Sequence, residues 1–369
     1  MDNEMNRKKR IAIDARELTK ENLNSLGYIL LIVLKYLSGY EVFLYSDIGI
    51  PQKYIPPKAK VISREQKYTG GTDLYKFQYW MKQRMKEDGI DILFQINHFS
   101  VIPTKKIKQI VVIHDLYPLE TIEKQNFKSR LVYRFSLFVT MLFADKIFTV
   151  SNFTKTRLEH FFWKSKKVQV NYNGIDDPIK LDDPEEYHCV NGPFFLMLGR
   201  VNYWKGTLRV VELYEKYFRG SDYKLVIAGQ AGSSEIKTDL QHYISINQNI
   251  IWMDYVTNET KEWLLQNCSL FIYSSRYDGF GLPPLEAAIR KKKVLINDIE
   301  VLREVSRNCG HYVDFYSDDF KVTKAINQEI MDDNVECINK MYEVAKSYTW
   351  DRYGATILRE IESGNAESN

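Results

Sequence analysis

Residues 274–286 read SSRYDGFGLPPLE and concentrate groups that handle phosphates and hydroxyls. Gly279 and Gly281 let the backbone take a positive φ and come close to a ligand. Pro283 and Pro284 suit the first turn of a helix, where a missing N–H costs nothing. A helix start offers free backbone N–H groups and the positive end of the helix dipole, which together favour an anion such as phosphate. Asp278 stands before that turn and Glu286 inside the helix that follows. Carboxylates there accept hydrogen bonds from hydroxyls, as on a ribose or a sugar. The same residues also fit an ordinary strand–turn–helix connection, with acids placed where the dipole favours them.

Three other places carry candidate chemistry. Gly199-Arg200 and Lys205-Gly206 follow the apolar run Phe194–Leu198. An arginine and a lysine converging on a pyrophosphate would neutralise it and stabilise it as a leaving group; a solvated basic loop is the plainer reading. His114 and Asp115 close the run Gln109–Ile113, and His98 follows Asp91–Gln95. A histidine at a strand end either makes a structural hydrogen bond or faces a ligand. Asp115 either orients His114 or belongs to the loop, and His98 is a candidate for the acceptor side. The cations Arg290–Lys293 read as a solvated run, with contact to a lipid phosphate as the alternative.

These groups need elements that hold them. Short apolar runs recur at Ile11–Ile13, Val42–Tyr45, Lys58–Ile62, Asp91–Gln95, Gln109–Ile113, Lys146–Val150 and Val168–Val170. They resume at Phe194–Leu198, Lys224–Gly229, Ile250–Met253, Leu270–Tyr273 and Val294–Ile296. Helical patterns lie between them, and Ser151 is placed to cap one. Alternating strands and helices imply doubly wound parallel sheets, in which ligands sit beyond the strand carboxyl ends. The loop from Asp14-Ala15-Arg16 to Gly27 is therefore a candidate site element. We expect a first domain at 1–176 and an acidic polar linker at 177–192. A second domain follows at 193–347, and a closing helical segment at 348–369.

Composition limits the alternatives. The 369 residues allow two domains with separate cores. The 44% apolar and 27% charged residues are globular values. A net charge of +3 gives no nucleic-acid signal. Cys189, Cys268, Cys309 and Cys337 show no C-x-x-C spacing and read as reduced packing residues of a cytoplasmic protein. The apolar run after the polar start MDNEMNRKKR is too short for a signal peptide, and no stretch reaches the ~18 apolar residues of a membrane span.

Residues 126–143, NFKSRLVYRFSLFVTMLF, are unusual. Lys128, Arg130 and Arg134 accompany a wide apolar face. A core helix and a helix lying on an anionic membrane surface both fit. A substrate carried on a membrane lipid would give the second reading a purpose.

The string SSRYDGFGLPPLE resembles the acid-x7-acid motif of retaining GT-B glycosyltransferases of family 4, usually worded EGFGLPxLE, with Asp278 where that family has Glu. Arg200 and Lys205 match the family's G-R-x4-K-G arrangement, and His114-Asp115-Leu116-Tyr117-Pro118 resembles its HDL-P site. The wording ADKIFTVSNFTK, VNYNGID and Tyr348-Thr349-Trp350 is also similar. The resemblance implies an α/β GT-B protein, with two Rossmann-like domains facing across a cleft and the closing helix crossing back to the first. It implies transfer of a hexosyl group from a nucleotide-diphosphate sugar (UDP-, GDP- or dTDP-linked) to a hydroxyl of a glycan or lipid-linked acceptor, with retention. Arg200 and Lys205 would hold the diphosphate, helped by the turn Gly279, Phe280, Gly281 and Leu282. Glu286 would bind ribose hydroxyls, and Asp278 and His114 the donor sugar. Val256 would lie by the base and Gly27 on the acceptor side. The leaving phosphate oxygen would take the acceptor proton, so no protein nucleophile is assigned. The D-x-D metal–diphosphate signature of the other main glycosyltransferase fold is absent, and no metal or other cofactor is expected.

Two other classes fit parts of the pattern. A non-catalytic GT-B partner of an active enzyme would turn over no donor. The other class is a GT-B phosphorylase, whose cofactor-lysine context is not found in the sequence, or a sugar-nucleotide epimerase, which would release UDP from a UDP-sugar without an acceptor. The expected setting is cytoplasmic, with peripheral attachment to a membrane if residues 126–143 face lipid.

Overall fold

The computed structural model describes residues 7–67, 73–97, 106–120, 127–332 and 334–363. The chain divides into two compact units, one of residues 1–172 with 350–369 and one of residues 173–349.

In the first unit the strands are β1 (Arg10–Asp14), β2 (Glu41–Ser46), β3 (Lys60–Ser63), β4 (Ile92–Gln95), β5 (Lys108–Ile113), β6 (Lys146–Thr149) and β7 (Val168–Val170). They form one sheet in the order β3-β2-β1-β4-β5-β6-β7. Every pairing is parallel. β1 and β5 carry the buried apolar runs Ile11–Ile13 and Ile110–Ile113, as strands covered on both faces must. Between them run α1 (Ser25–Tyr36), α2 (Asp73–Glu87), α3 (Tyr117–Glu120), α4 (Phe127–Phe143) and α5 (Asn152–Phe161). Asn24 and Ser151 cap α1 and α5 by accepting hydrogen bonds from the backbone N–H groups of Gly27 and Thr154. One core cluster joins Phe43, Tyr45, Phe77 and Met81; another joins Val111, Ile113, Leu137 and Met141.

The second unit holds β8 (Phe194–Leu198), β9 (Lys224–Ala228), β10 (Ile250–Met253), β11 (Leu270–Tyr273), β12 (Val294–Asn297) and β13 (His311–Val313). Their order is β10-β9-β8-β11-β12-β13, again all parallel. The helices are α6 (Thr207–Tyr217), α7 (Ser234–Ile246), α8 (Asn258–Asn267), α9 (Leu282–Ala288), α10 (Glu300–Val305), α11 (Asp319–Met331) and α12 (Val335–Lys346). Counted from β8, this is the 3-2-1-4-5-6 order of the dinucleotide-binding fold. Its core gathers Phe195, Val211, Tyr214, Leu225 and Phe315. Full burial of such side chains stabilises by roughly 1.5–3 kcal/mol each.

Two sequence expectations meet a different arrangement. Residues 177–192, expected to run between domains, lie on the second unit. Leu181 and Val190 are buried, and the His188 ring stacks on Trp263 of α8 at 5.0 Å. Arg290, expected in water, is buried. Its Nε donates to Glu262 Oε1 at 2.8 Å, and the two side chains are only 4% and 2% exposed. The reason is reach: α9 ends against α8, and a guanidinium there supplies the counter-ion of the buried Glu262 carboxylate, which also accepts from Gln266 Nε2 at 2.6 Å. Arg290 also donates to the Glu286 carbonyl at 2.8 Å.

The segment after residue 349 forms α13 (Trp350–Glu362), which belongs to the first unit. Tyr36 donates to Asp351 Oδ1 at 2.5 Å, and Lys108 Nζ lies 2.6 Å from Glu360 Oε1. Lys9 Nζ donates to the Ile361 carbonyl at 2.7 Å.

Candidate active site

The second sheet reverses its winding between β8 and β11, which are neighbours although far apart in sequence. At such a switch point the loops leaving the two strands diverge and open a crevice at their carboxyl ends. β8 leads into Gly199-Arg200 and on to Lys205; β11 leads into Ser274–Gly281. The sequence therefore delivers its two most chemical stretches to one edge of one sheet.

Backbone and hydroxyl groups join the two loops. The Arg276 N–H donates to the Trp204 carbonyl at 2.7 Å, and Ser274 Oγ donates to the Lys205 carbonyl at 3.0 Å. Tyr316 Oη donates to the Ser274 carbonyl at 3.1 Å, while the Arg276 guanidinium sits 3.8 Å over the Tyr316 ring. Such contact needs a glycine at 206. Its φ is +72°, and a Cβ there would lie 2.6 Å from the Ser274 carbonyl oxygen and 2.2 Å from Tyr316 Oη.

The joined loops bring Lys205 and Asp278 together. Lys205 Nζ donates to Asp278 Oδ1 at 2.6 Å and to Tyr273 Oη at 2.9 Å. Tyr273 Oη in turn donates to Asp278 Oδ2 at 2.7 Å. Burial and the Asp278 carboxylate push the Tyr273 phenol well above its ordinary value, so it stays protonated and works as a donor. The ammonium and the carboxylate thus neutralise each other. Arg200 is exposed and has no ion-pair partner among the described residues. Tyr273 was legible only as the end of a buried strand; nothing in the apolar run Leu270–Tyr273 shows that its hydroxyl bridges acid and base.

Gly281 starts α9 in the left-handed region, with prolines in the first turn. Glu286, half-buried on that helix, accepts from Lys261 Nζ at 3.1 Å. Phe280 is buried and meets the Tyr348 ring edge-on at 5.4 Å, so its side chain packs inward. Gly279 is buried, and Leu282 and Val256 are half-buried.

In the first unit, His114 follows β5 and is half-buried. Its Nε2 is buried and has no hydrogen-bond partner among the described residues. Burial lowers the imidazole to about 4, opposed by a hydrogen bond to the Ile96 backbone. The ring is therefore neutral near pH 7. Asp115 Oδ1 accepts from the Tyr117 N–H at 3.0 Å, holding the turn into α3, and the Asp115 carbonyl accepts from Tyr133 Oη at 2.8 Å. Gly27 lies in the first turn of α1, and His98 lies outside the described residues.

Two family descriptions match consecutive parts of the chain. Residues 38–177 match Glycosyltransferase Family 4, and residues 182–347 match Glycosyl transferases group 1. The chain belongs to the family 4 type of glycosyltransferase, with the two-domain GT-B fold. The serotype-specific mannosyltransferase WbdA of Escherichia coli is 32% identical over 123 residues, covering 32% of this chain and 15% of WbdA. The O-antigen chain mannosyltransferase RfbU of Salmonella typhimurium is 25% identical over 246 residues, 65% of each chain. The matched stretches thus span 15% and 65% of these relatives. Among solved structures, WaaG, a glycosyltransferase involved in lipopolysaccharide biosynthesis, superposes with a TM-score of 0.75 at 14% identity, covering 96% of this chain and 100% of WaaG. HepE from Anabaena, solved in complex with UDP and glucose, gives 0.77 at 14% identity, covering 97% and 100%.

Proposed function

We propose that the chain moves a hexosyl group, mannosyl by analogy with its curated relatives, from a nucleotide-diphosphate sugar to a hydroxyl of a surface glycan or lipid-linked acceptor. The observation that carries this reading is the Lys205–Tyr273–Asp278 triad at the switch point of the second sheet, with the exposed Arg200 on the same loop after β8 as Lys205. The triad holds a cation and a carboxylate in reserve. When a diphosphate arrives, the Lys205 ammonium exchanges its Asp278 contact for phosphate oxygens, with Arg200 as its companion. That exchange releases the Asp278 carboxylate to accept hydrogen bonds from sugar hydroxyls, so one event prepares both ends of the donor. Glu286 binds ribose hydroxyls in the same reading; in the first unit the neutral His114 offers an unpartnered ring nitrogen to a hydroxyl.

The acceptor oxygen forms a bond to the anomeric carbon as the bond to the diphosphate oxygen breaks. The acceptor proton passes to the departing phosphate oxygen, on the same face, so configuration is retained. Arg200 and Lys205 stabilise the charge that grows on the leaving group. A metal is not required by this scheme, since two protein cations take its electrostatic role. The chain works at a membrane face, where a lipid-linked acceptor lies.

A thermal-shift panel with UDP, GDP, dTDP and ADP tests the donor site. A nucleotide at about 100 times its Kd adds ~2.7 kcal/mol of stability. One of the four should raise the unfolding midpoint of the wild type and fail to do so for Lys205→Ala. No shift with any of them would overturn the reading and point to a non-catalytic partner role.

A further inference from the structure

The first unit carries an apolar ridge that its core does not use. α4 buries Tyr133, Leu137, Thr140 and Met141 against the sheet. Its opposite side carries Phe127, Leu131, Phe135, Phe138 and Leu142 at spacings of four, four, three and four. That spacing keeps them on one line of the helix surface. All five are exposed, Phe127 by 77%, Leu131 by 59% and Phe135 by 57%. α4 thus has two apolar faces, one inside and one outside.

The outer face extends beyond the helix. Trp163, in the loop after α5, is exposed and meets the Phe138 ring edge-on at 6.0 Å. Exposed large apolar side chains in a contiguous patch mark an interaction surface. The charges around it identify the partner. Lys128 and Arg134 are exposed and flank the ridge on either side, and α4 contains no acid. Exposed Lys164, Lys166 and Lys167 follow Trp163. A second copy pressed ridge to ridge would bring these cations together, whereas an anionic lipid surface attracts them and accepts the ridge among its acyl chains.

We infer that α4 and the Trp163–Lys167 loop form a docking surface for an anionic phospholipid membrane. The helix lies parallel to the surface, with a ridge about 22 Å long at 1.5 Å per residue. Trp163 sits at headgroup depth, where an aromatic ring with a polar edge is favoured. Among the described residues no helix is long and apolar enough to cross a membrane. The inference deepens the acceptor reading above by assigning the surface that reaches a lipid-linked acceptor.

Vesicle flotation of the full chain tests it without donor or acceptor. Phosphatidylcholine vesicles containing about one-third phosphatidylglycerol should retain the wild type, and phosphatidylcholine alone should retain far less. Salt should weaken the binding, because exposed charges are screened. The double variant Leu131→Gln/Phe135→Gln should lower the vesicle partition coefficient by about tenfold or more, since each lost side chain is one that lipid would cover. Arg134→Glu should lower it on anionic vesicles alone. Circular dichroism and the unfolding midpoint of both variants should match the wild type, because all three side chains are exposed. No retention on anionic vesicles, or retention unchanged by either variant, overturns the inference. So does a concentration-dependent dimer that Leu131→Gln/Phe135→Gln abolishes, which would assign the ridge to a second copy. The nucleotide panel on the same preparations separates failure here from failure of the donor site.

Discussion

Replacing Arg290 distinguishes a buried ion pair from a surface charge. In water, an arginine in the run Arg290–Lys293 would tolerate alanine within about 0.5 kcal/mol. In the structure its guanidinium and the Glu262 carboxylate are 4% and 2% exposed, with Nε 2.8 Å from Oε1. Arg290→Ala leaves the Glu262 charge buried without its counter-ion, which costs about 3–5 kcal/mol. For a unit of this size that is a fall of roughly 6–20 °C in the midpoint. Arg290→Met with Glu262→Met removes both charges and should recover most of the loss, because hydrophobic replacement of a whole buried pair is often near neutral. Urea unfolding followed by tryptophan fluorescence is a suitable assay, since Trp263 adjoins Glu262 on α8 and stacks on Phe194. The pair also carries a pH signature. Burial alone would raise the Glu262 carboxyl, but hydrogen bonds from Arg290 and Gln266 outweigh it and hold the group below its ordinary value. A depressed carboxyl stabilises the fold above its unfolded value and loses that contribution as pH falls through the folded one. The stability gap between wild type and the double Met variant should therefore move against the wild type on acidification below pH 4.5, the ordinary value. An Arg290→Ala cost under about 1 kcal/mol would refute the buried-pair argument.

Two further predictions concern the site. Gly206→Ala places a Cβ 2.6 Å from the Ser274 carbonyl oxygen at a φ of +72°; the left-handed backbone and the crowding together should cost about 2–5 kcal/mol, and calorimetry should also show weaker nucleotide binding as the loops part. His114 falls from its ordinary 6.5 to about 4 through burial. The unfolded chain then binds the proton first, so acidification from pH 6.5 toward 4 should destabilise the wild type more than His114→Phe, as read by urea midpoints across that range.

How much of this was legible in the residues depended on range. The strands showed because continuous apolar runs are required of parallel strands covered on both faces, as in Gln109–Ile113 and Phe271–Tyr273. The turn at Gly281 showed because glycine and proline report backbone geometry directly. β13 was missed: His311–Val313 is three residues long and half-buried, too short to show a period. The burial of Arg290 depends on Glu262, 28 positions away, so no local pattern contains it. Tyr273 belongs to the same class, since its bridging role requires Lys205, 68 positions earlier, to arrive from another loop. For α4, the amphipathic segment fitted both a core helix and a surface helix. The structure packs the inner face against the sheet and leaves the outer one exposed. His114 stood out by its motif, but the missing partner at Nε2 is a property of the folded environment alone.

The assignment of α13 to the first unit has a consequence for synthesis of the chain on the ribosome. Residues 173–349 must all be translated after Tyr172 before Trp350 emerges. At ~5–20 residues per second that is on the order of ten seconds to half a minute. Throughout this interval the nascent first unit lacks the helix that engages Tyr36, Lys9 and Lys108. The second unit is contiguous and has every strand of its sheet in hand once Val313 is out. Maturation therefore runs against the N-to-C direction of translation, with the unit that begins first completed last.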